Sequence, residues 1–291
     1  MLRLIVLISI TMVAFAANSL LTRMAISNQE LGASSFAFIR LLSGTLVLIA
    51  IILIRSGVKT VLKARPNFNS VLGLSAYMVG FHYAYSTLDA GLGALILFGG
   101  VQLVMFSASI IKKESLPISR WLGMFLAMFG LGILFFPSKL PEAQPISGMF
   151  LMLLAAFGWG IYSLSGKTAI DPIARTMSNF IFTLPLVTIV YMFFPDTIPV
   201  TPKGIFLAIC SGAVMTALGY ALWYALLPSI DSTVASLVQL TVPVIALVMG
   251  VLLLDELITL LSMSASILVL GGVSLGLLGR KNMLQNNVTK S

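Results

Sequence analysis

Acidic side chains are scarce in this sequence, with nine Asp and Glu among 291 residues against 17 Lys and Arg. Charged residues of both signs make up only 9%, too few to keep the surface of a soluble domain of this size wet. One cysteine, Cys210, leaves no partner for a disulfide and excludes a cysteine-based metal site. One histidine, His82, cannot supply an ordinary zinc site, and no metal or other cofactor is expected. The segment from Gly160 to Thr168 imitates a phosphate loop. It has five residues between Gly160 and Gly166 where the motif needs four, and it ends an apolar run instead of following a strand.

What the sequence has is apolar surface. Hydrophobic residues reach 59%, and the mean hydropathy is +1.07. In a bilayer every backbone N–H and C=O must be satisfied inside its own segment, so runs of about 20 apolar residues read as membrane-crossing helices. Ten such runs lie near 3–22, 33–54, 69–88, 91–111, 118–137, 146–166, 173–194, 203–226, 232–254 and 258–279. The predicted fold class is therefore an all-α integral membrane protein of ten helices. The start, with Arg3, an apolar stretch and Ala14-Phe15-Ala16, also imitates a signal peptide. Its apolar run continues to Leu21, as a retained first span would.

The net charge of +8 could suggest nucleic acid, but its placement argues otherwise, because Lys and Arg are scattered through the joints between runs. With the N-terminus inside, cytoplasmic joints receive thirteen: Arg3; Arg55, Lys59, Lys63 and Arg65; Lys112, Lys113 and Arg120; Lys167 and Arg175; Arg280, Lys281 and Lys290. The outer side receives three, Arg23, Lys139 and Lys203. This asymmetry predicts both termini in the cytoplasm of a bacterial inner membrane. The expected partners are a small-molecule substrate and the lipid bilayer, with no nucleic acid, in a monomer or homodimer.

The chain also looks duplicated. Ser19 to Ile26 lies over Ser163 to Ile170 with four identities in eight, and Asp89 to Glu114 lies without gaps over Asp231 to Glu256. The shifts are 144 and 142. The predicted organisation is a first repeat over 1–137, a second over 146–279, and a cytoplasmic tail over 280–291. Each repeat holds five spans, so the second enters the membrane inverted. Inverted repeats are a route to alternating access, although duplication can also merely build a larger bundle.

Matching helix interruptions in two halves point to a binding site at mid-membrane. Here Gly99 and Gly100 of the fourth run correspond to Thr241, Val242 and Pro243 of the ninth, with Gln102 and Gln239 within a turn of them. The alternative is that these residues simply suit helix packing. Arg40 is the one charge well inside a run, about 10 Å from its end at helical rise. It is a candidate for binding an anionic group, for snorkelling outward, or for clamping carbonyls. His82 is a candidate proton carrier or a structural hydrogen bonder. Thr216, Tyr220 and Trp223 share one helical stripe, as do Tyr77, Phe81 and Tyr85, lining a pocket or packing a core. Every Asp and Glu lies at a run's end or between runs, which argues against a buried carboxylate relay and leaves exchange and proton antiport both open.

Three stretches of the first half, Ala17 to Arg23, Phe38 to Gly44 and Gly93 to Gln102, resemble the EamA family of the drug/metabolite transporter superfamily. Three stretches of the second half, Gly158 to Leu164, Gly219 to Tyr224 and Gln239 to Pro243 followed by Asp255-Glu256, do the same. The resemblance implies two inverted EamA repeats and a central cavity lined by spans one, three, four, six, eight and nine. It implies that Asn18, His82, Gln102, Trp159, Tyr162, Trp223 and Gln239 face that cavity, with Arg40 near its outer mouth. It also implies export or exchange of metabolites such as amino acids, nucleosides or amphipathic toxins. The four-helix multidrug members of that superfamily carry a buried first-helix glutamate, where this chain has Ala14, Asn18 and Ser19. The competing readings are a non-transporting receptor or assembly partner and an intramembrane enzyme, for which His82 has no evident acidic partner.

Overall fold

The computed structural model describes residues 2–63, 65–111, 117–134, 146–166, 169–230, 235, 238–239, 241–261, 263–272 and 274–275. All the regular elements among them are helical. Six helices are long and apolar enough to cross a membrane: α1 (Leu2–Ser27), α2 (Ala33–Ser56), α5 (Ala90–Ile111), α7 (Ile146–Gly166), α8 (Pro172–Phe193) and α9 (Pro202–Ser229). The other four expected spans hold shorter helices, α4 (Phe68–Ala84), α6 (Ile118–Leu134), α10 (Thr241–Leu254) and α11 (Met263–Gly272). A five-residue helix, α3 (Val58–Leu62), follows Gly57, whose φ of 77° ends α2 in a conformation that residues with a Cβ avoid. The proposed tail over 280–291 and most residues from Asp231 to Leu240 lie outside the described residues.

The helix starts follow local chemistry. Asn67 caps α4 through Ser70 N at 3.0 Å. Asp171 and Thr201 cap α8 and α9, each followed by proline at the first helical position, where the missing N–H costs nothing. The start of α2 is capped from far away. Its N-cap is Gly32, and the Asp196 carboxylate accepts from Ser34 N at 3.1 Å and Ser35 N at 2.6 Å across the α8–α9 loop.

The halves interlock. In the first half α4 packs on α7, and in the second α9 packs on α1; α5 leans on α7 as α10 leans on α1; α2 meets α9 as α8 meets α4. Further contacts across the halves pair α2 with α8, α5 with α10, α3 with α8 and α6 with α11. Small residues allow the closest approach. A Cβ on Gly73 would come 2.7 Å from the carbonyl oxygen of Gly158, and one on Gly158 would run into that of Gly73. Lipid offers no hydrophobic drive between helices, so such close backbone packing supplies the dispersion contacts that hold α4 to α7.

Two expectations about helix interruption need correction. The α5 helix runs unbroken through Gly99 and Gly100, and Gly100 serves packing, because a Cβ there would sit 2.7 Å from that of Ala156. On the ninth span the interruption falls earlier than Thr241, at a turn on Gln239. Pro243 lies in the first turn of α10, where no helical hydrogen bond awaits its nitrogen. The pronounced irregularity is elsewhere. The middle of α9, Cys210–Leu218, is wound as a π-helix, a form concentrated at functional sites.

Candidate functional site

Where α1, α4, α5, α7 and α9 converge, a buried pocket remains among Phe15, Asn18, Tyr77, Phe81, Trp159 and Tyr220, with Leu97 and Phe98 closing it. All eight side chains are buried, and the space between them holds about one water molecule. The aromatic rings interlock: Trp159 lies 4.6 Å from Tyr220 and 5.3 Å edge-on from Phe15, between ring centroids.

Arg40 stands behind this wall and is 0% exposed. Its Nε donates to Thr216 Oγ1 at 2.7 Å. One terminal nitrogen donates to the hydroxyls of Tyr77 at 3.2 Å and Tyr220 at 3.0 Å, and the other to His82 Nε2 at 3.2 Å. The guanidinium carbon also sits 5.1 Å from the Phe81 ring centroid. Burying an arginine at membrane depth costs about 2.5–3.5 kcal/mol on insertion scales. Four hydrogen bonds from a charged donor, each worth about 1.5–3 kcal/mol, are enough to offset that. Arg40 therefore neither snorkels, nor clamps carbonyls, nor lies at an open outer mouth; four neutral side chains hold it. Among the described residues no carboxylate pairs with it.

The same contacts fix the state of His82. Arginine can only donate, so Nε2 accepts; Nδ1 faces the Met78 carbonyl oxygen and so carries the proton. The imidazole is neutral in this arrangement, and it positions Arg40.

Asn18 is oriented by a similar chain. Thr216, already accepting from Arg40, gives its own proton to Asn18 Oδ1 at 3.1 Å, and Ser211 donates to the same oxygen at 2.7 Å. Both hydroxyls come from the π-wound stretch of α9. Asn18 Nδ2 is buried without a partner, on the pocket wall.

The other expected site residues are buried around this group. Trp159 Nε1 donates to Gln239 Oε1 at 2.7 Å, which brings together two candidates of the second half. Tyr162 stacks between Trp159 and Tyr224, at 5.4 and 4.7 Å. Trp223 packs edge-on to Phe15 at 5.8 Å, with its indole N–H unpaired. Gln102 is buried with Oε1 unpaired, off the pocket wall. Sequence reasoning missed Phe15, one turn from Asn18 on the same face of α1. It placed Tyr77 and Thr216 on the right stripes without choosing them.

At the end of the bundle where α1 finishes, Arg23 binds Asp89 at 3.0 Å and the carbonyl of Tyr85 at 3.1 Å, with Glu256 at 3.6 Å. Burial pushes the Glu256 carboxyl above the usual carboxylate range, against the hydrogen bond it receives from Ala90 N. Nearby, hydrogen bonds from Thr201 and then Lys203 hold the Glu30 carboxyl below that range.

A buried, aromatic, mostly neutral pocket enclosed by apolar helices can now be set beside known proteins. The family model described as the EamA-like transporter family matches residues 146–278. An uncharacterized protein of Pseudomonas aeruginosa is 38% identical over 273 residues, covering 94% of both chains. The chain belongs to the EamA-like transporter family. An uncharacterized transporter of Archaeoglobus fulgidus is 25% identical over 210 residues, 70% of this chain and 73% of that one. A protein known from its crystal structure shares the fold, with a TM-score of 0.67 at 16% identity over 93% of this chain and 98% of that one. As an EamA family member the chain is a multi-pass membrane protein of the drug/metabolite transporter superfamily.

Proposed function

We propose that this protein is a secondary transporter that exports or exchanges small organic metabolites across the bacterial inner membrane, by alternating access through the pocket around Asn18 and Trp159. The observation that carries this is the pocket's position. It lies where helices of both halves converge, and it keeps an unpartnered polar group, Asn18 Nδ2, buried on its wall. Such a group costs about 1–3 kcal/mol when unpaired, and an acceptor on a bound substrate would recover that cost.

The packing pattern supports two inverted five-helix repeats, because the main contacts between long helices of opposite halves have counterparts when the halves are exchanged. The charge asymmetry of the sequence supports the proposed orientation, both termini cytoplasmic, and the side-chain links support the grouping of the joints into two sides. Residues expected outside pair with one another, as Arg23 does with Asp89 and Lys203 with Glu30. On the expected inner side Arg55 pairs with Asp171. The substrate set we propose includes amino acids, nucleosides and amphipathic organic compounds. Reconstitution into liposomes, followed by uptake of labelled amino acids, nucleosides and organic acids, tests this reading. Saturable flux of at least one compound, absent from empty liposomes, is expected; no flux across the panel would leave a non-transporting receptor as the better description.

A further inference from the structure

The polar atoms of the pocket are not a mixture. Asn18 Oδ1 is occupied by the hydroxyls of Ser211 and Thr216, leaving only its NH2 group to offer. The hydroxyl oxygens of Tyr77 and Tyr220 accept from Arg40. A phenol that accepts from a guanidinium is polarised by it, and becomes a stronger donor of its own proton. The remaining polar wall atom, Trp159 Nε1, is itself a donor and is bonded to Gln239. The pocket therefore offers donors, in front of a buried cation whose partners are all neutral. Neutral partners share the charge of Arg40 without cancelling its field. The rest of the wall is aromatic or aliphatic, from Phe15, Phe81, Leu97 and Phe98.

We propose that the preferred occupant is a small organic monoanion, a carboxylate on a flat apolar body with no ammonium group. This rests on the transport reading above and names its substrate class. A carboxylate is acceptor-only, which matches a wall of donors, and its charge meets the field of Arg40. The flat body stacks among the rings. An ammonium group would lose its water here and find no carboxylate among the described residues of the pocket. A zwitterion is thus a poorer ligand than the corresponding acid. Binding requires the wall to open, since the present space holds about one water. The occupant's oxygens would then take the donors of Asn18, Tyr77 and Tyr220.

Four probes sharing one phenylpropyl body separate the contributions: 3-phenylpropanoate, its neutral amide, phenylalanine and 3-phenylpropylamine. Binding to the purified full-length protein is read by calorimetric titration. The anion is expected to bind at least about tenfold more tightly than each of the other three. Arg40→Gln should abolish that preference, but a buried arginine risks the fold. Asn18→Asp is the safer variant, because Ser211 and Thr216 can donate to a carboxylate as they do to the amide. It should reverse the order, so that the amine binds more tightly than the anion. Equal binding of the amide or amine by the unaltered protein overturns the proposal, as does an unchanged order in Asn18→Asp. Absence of binding by all four also overturns it. Saturable flux of nucleosides or neutral compounds in the liposome panel would then leave the transport reading standing alone.

Discussion

Arg40 shows how one charge can organise a site without a countercharge. It can only donate, so every group that touches it must accept, and each of those groups turns its own proton elsewhere. Thr216 passes this constraint to Asn18, fixing which end of the amide is left for the pocket. His82 receives it directly and is held neutral. A proton carrier must change its charge during the cycle, and His82 is placed beside a permanent cation that opposes this. His82→Gln keeps an acceptor for Arg40. The dependence of transport rate on pH between roughly 6 and 8 should therefore keep its shape in liposomes, that being the window where an ordinary histidine titrates. Loss of an inflection in the variant would restore His82 as the coupling group. Nothing near Arg40 in sequence announced its partners. Thr216 and Tyr220 lie 176 and 180 positions away, and hydropathy does not record which side chain meets which.

At the scale of elements, the apolar runs located the helices, because a segment that must satisfy its own backbone in lipid has few other choices. The same runs could not locate the irregular turns. Gly99 and Gly100 read as a break, yet α5 is continuous through them, and the missing Cβ of Gly100 allows close contact with Ala156. Pro243 read as a break too, and the chain places it where a helix begins. Replacing Pro243 with Ala should accordingly change stability by less than about 1 kcal/mol and leave flux near that of the unaltered protein. A large loss of flux with normal folding would return Pro243 to a role in movement. The π-wound stretch had no signature in residue type, since Cys210 to Leu218 is an ordinary mix of small and apolar residues.

At the scale of the molecule, the proposed repeats rest on the duplication and the proposed orientation on the charge asymmetry. The matched segments are shifted by 144 and 142 positions, and the main helix pairs across the halves have counterparts under that exchange. The sequence yields candidate residues for a site but not their arrangement, because the pocket's wall is assembled from five helices spread across the chain. Compartment-specific reporters fused to the two ends give the most economical check on the whole. Both should report the cytoplasm; opposite compartments would require an odd number of crossings, and the two halves could not oppose each other.

The tightness of the pocket has a further consequence. The described pocket has room for about one water among buried rings, too little for a file of water along which protons could hop through it. In this conformation the pocket itself gives protons no wet route from one side of the bundle to the other.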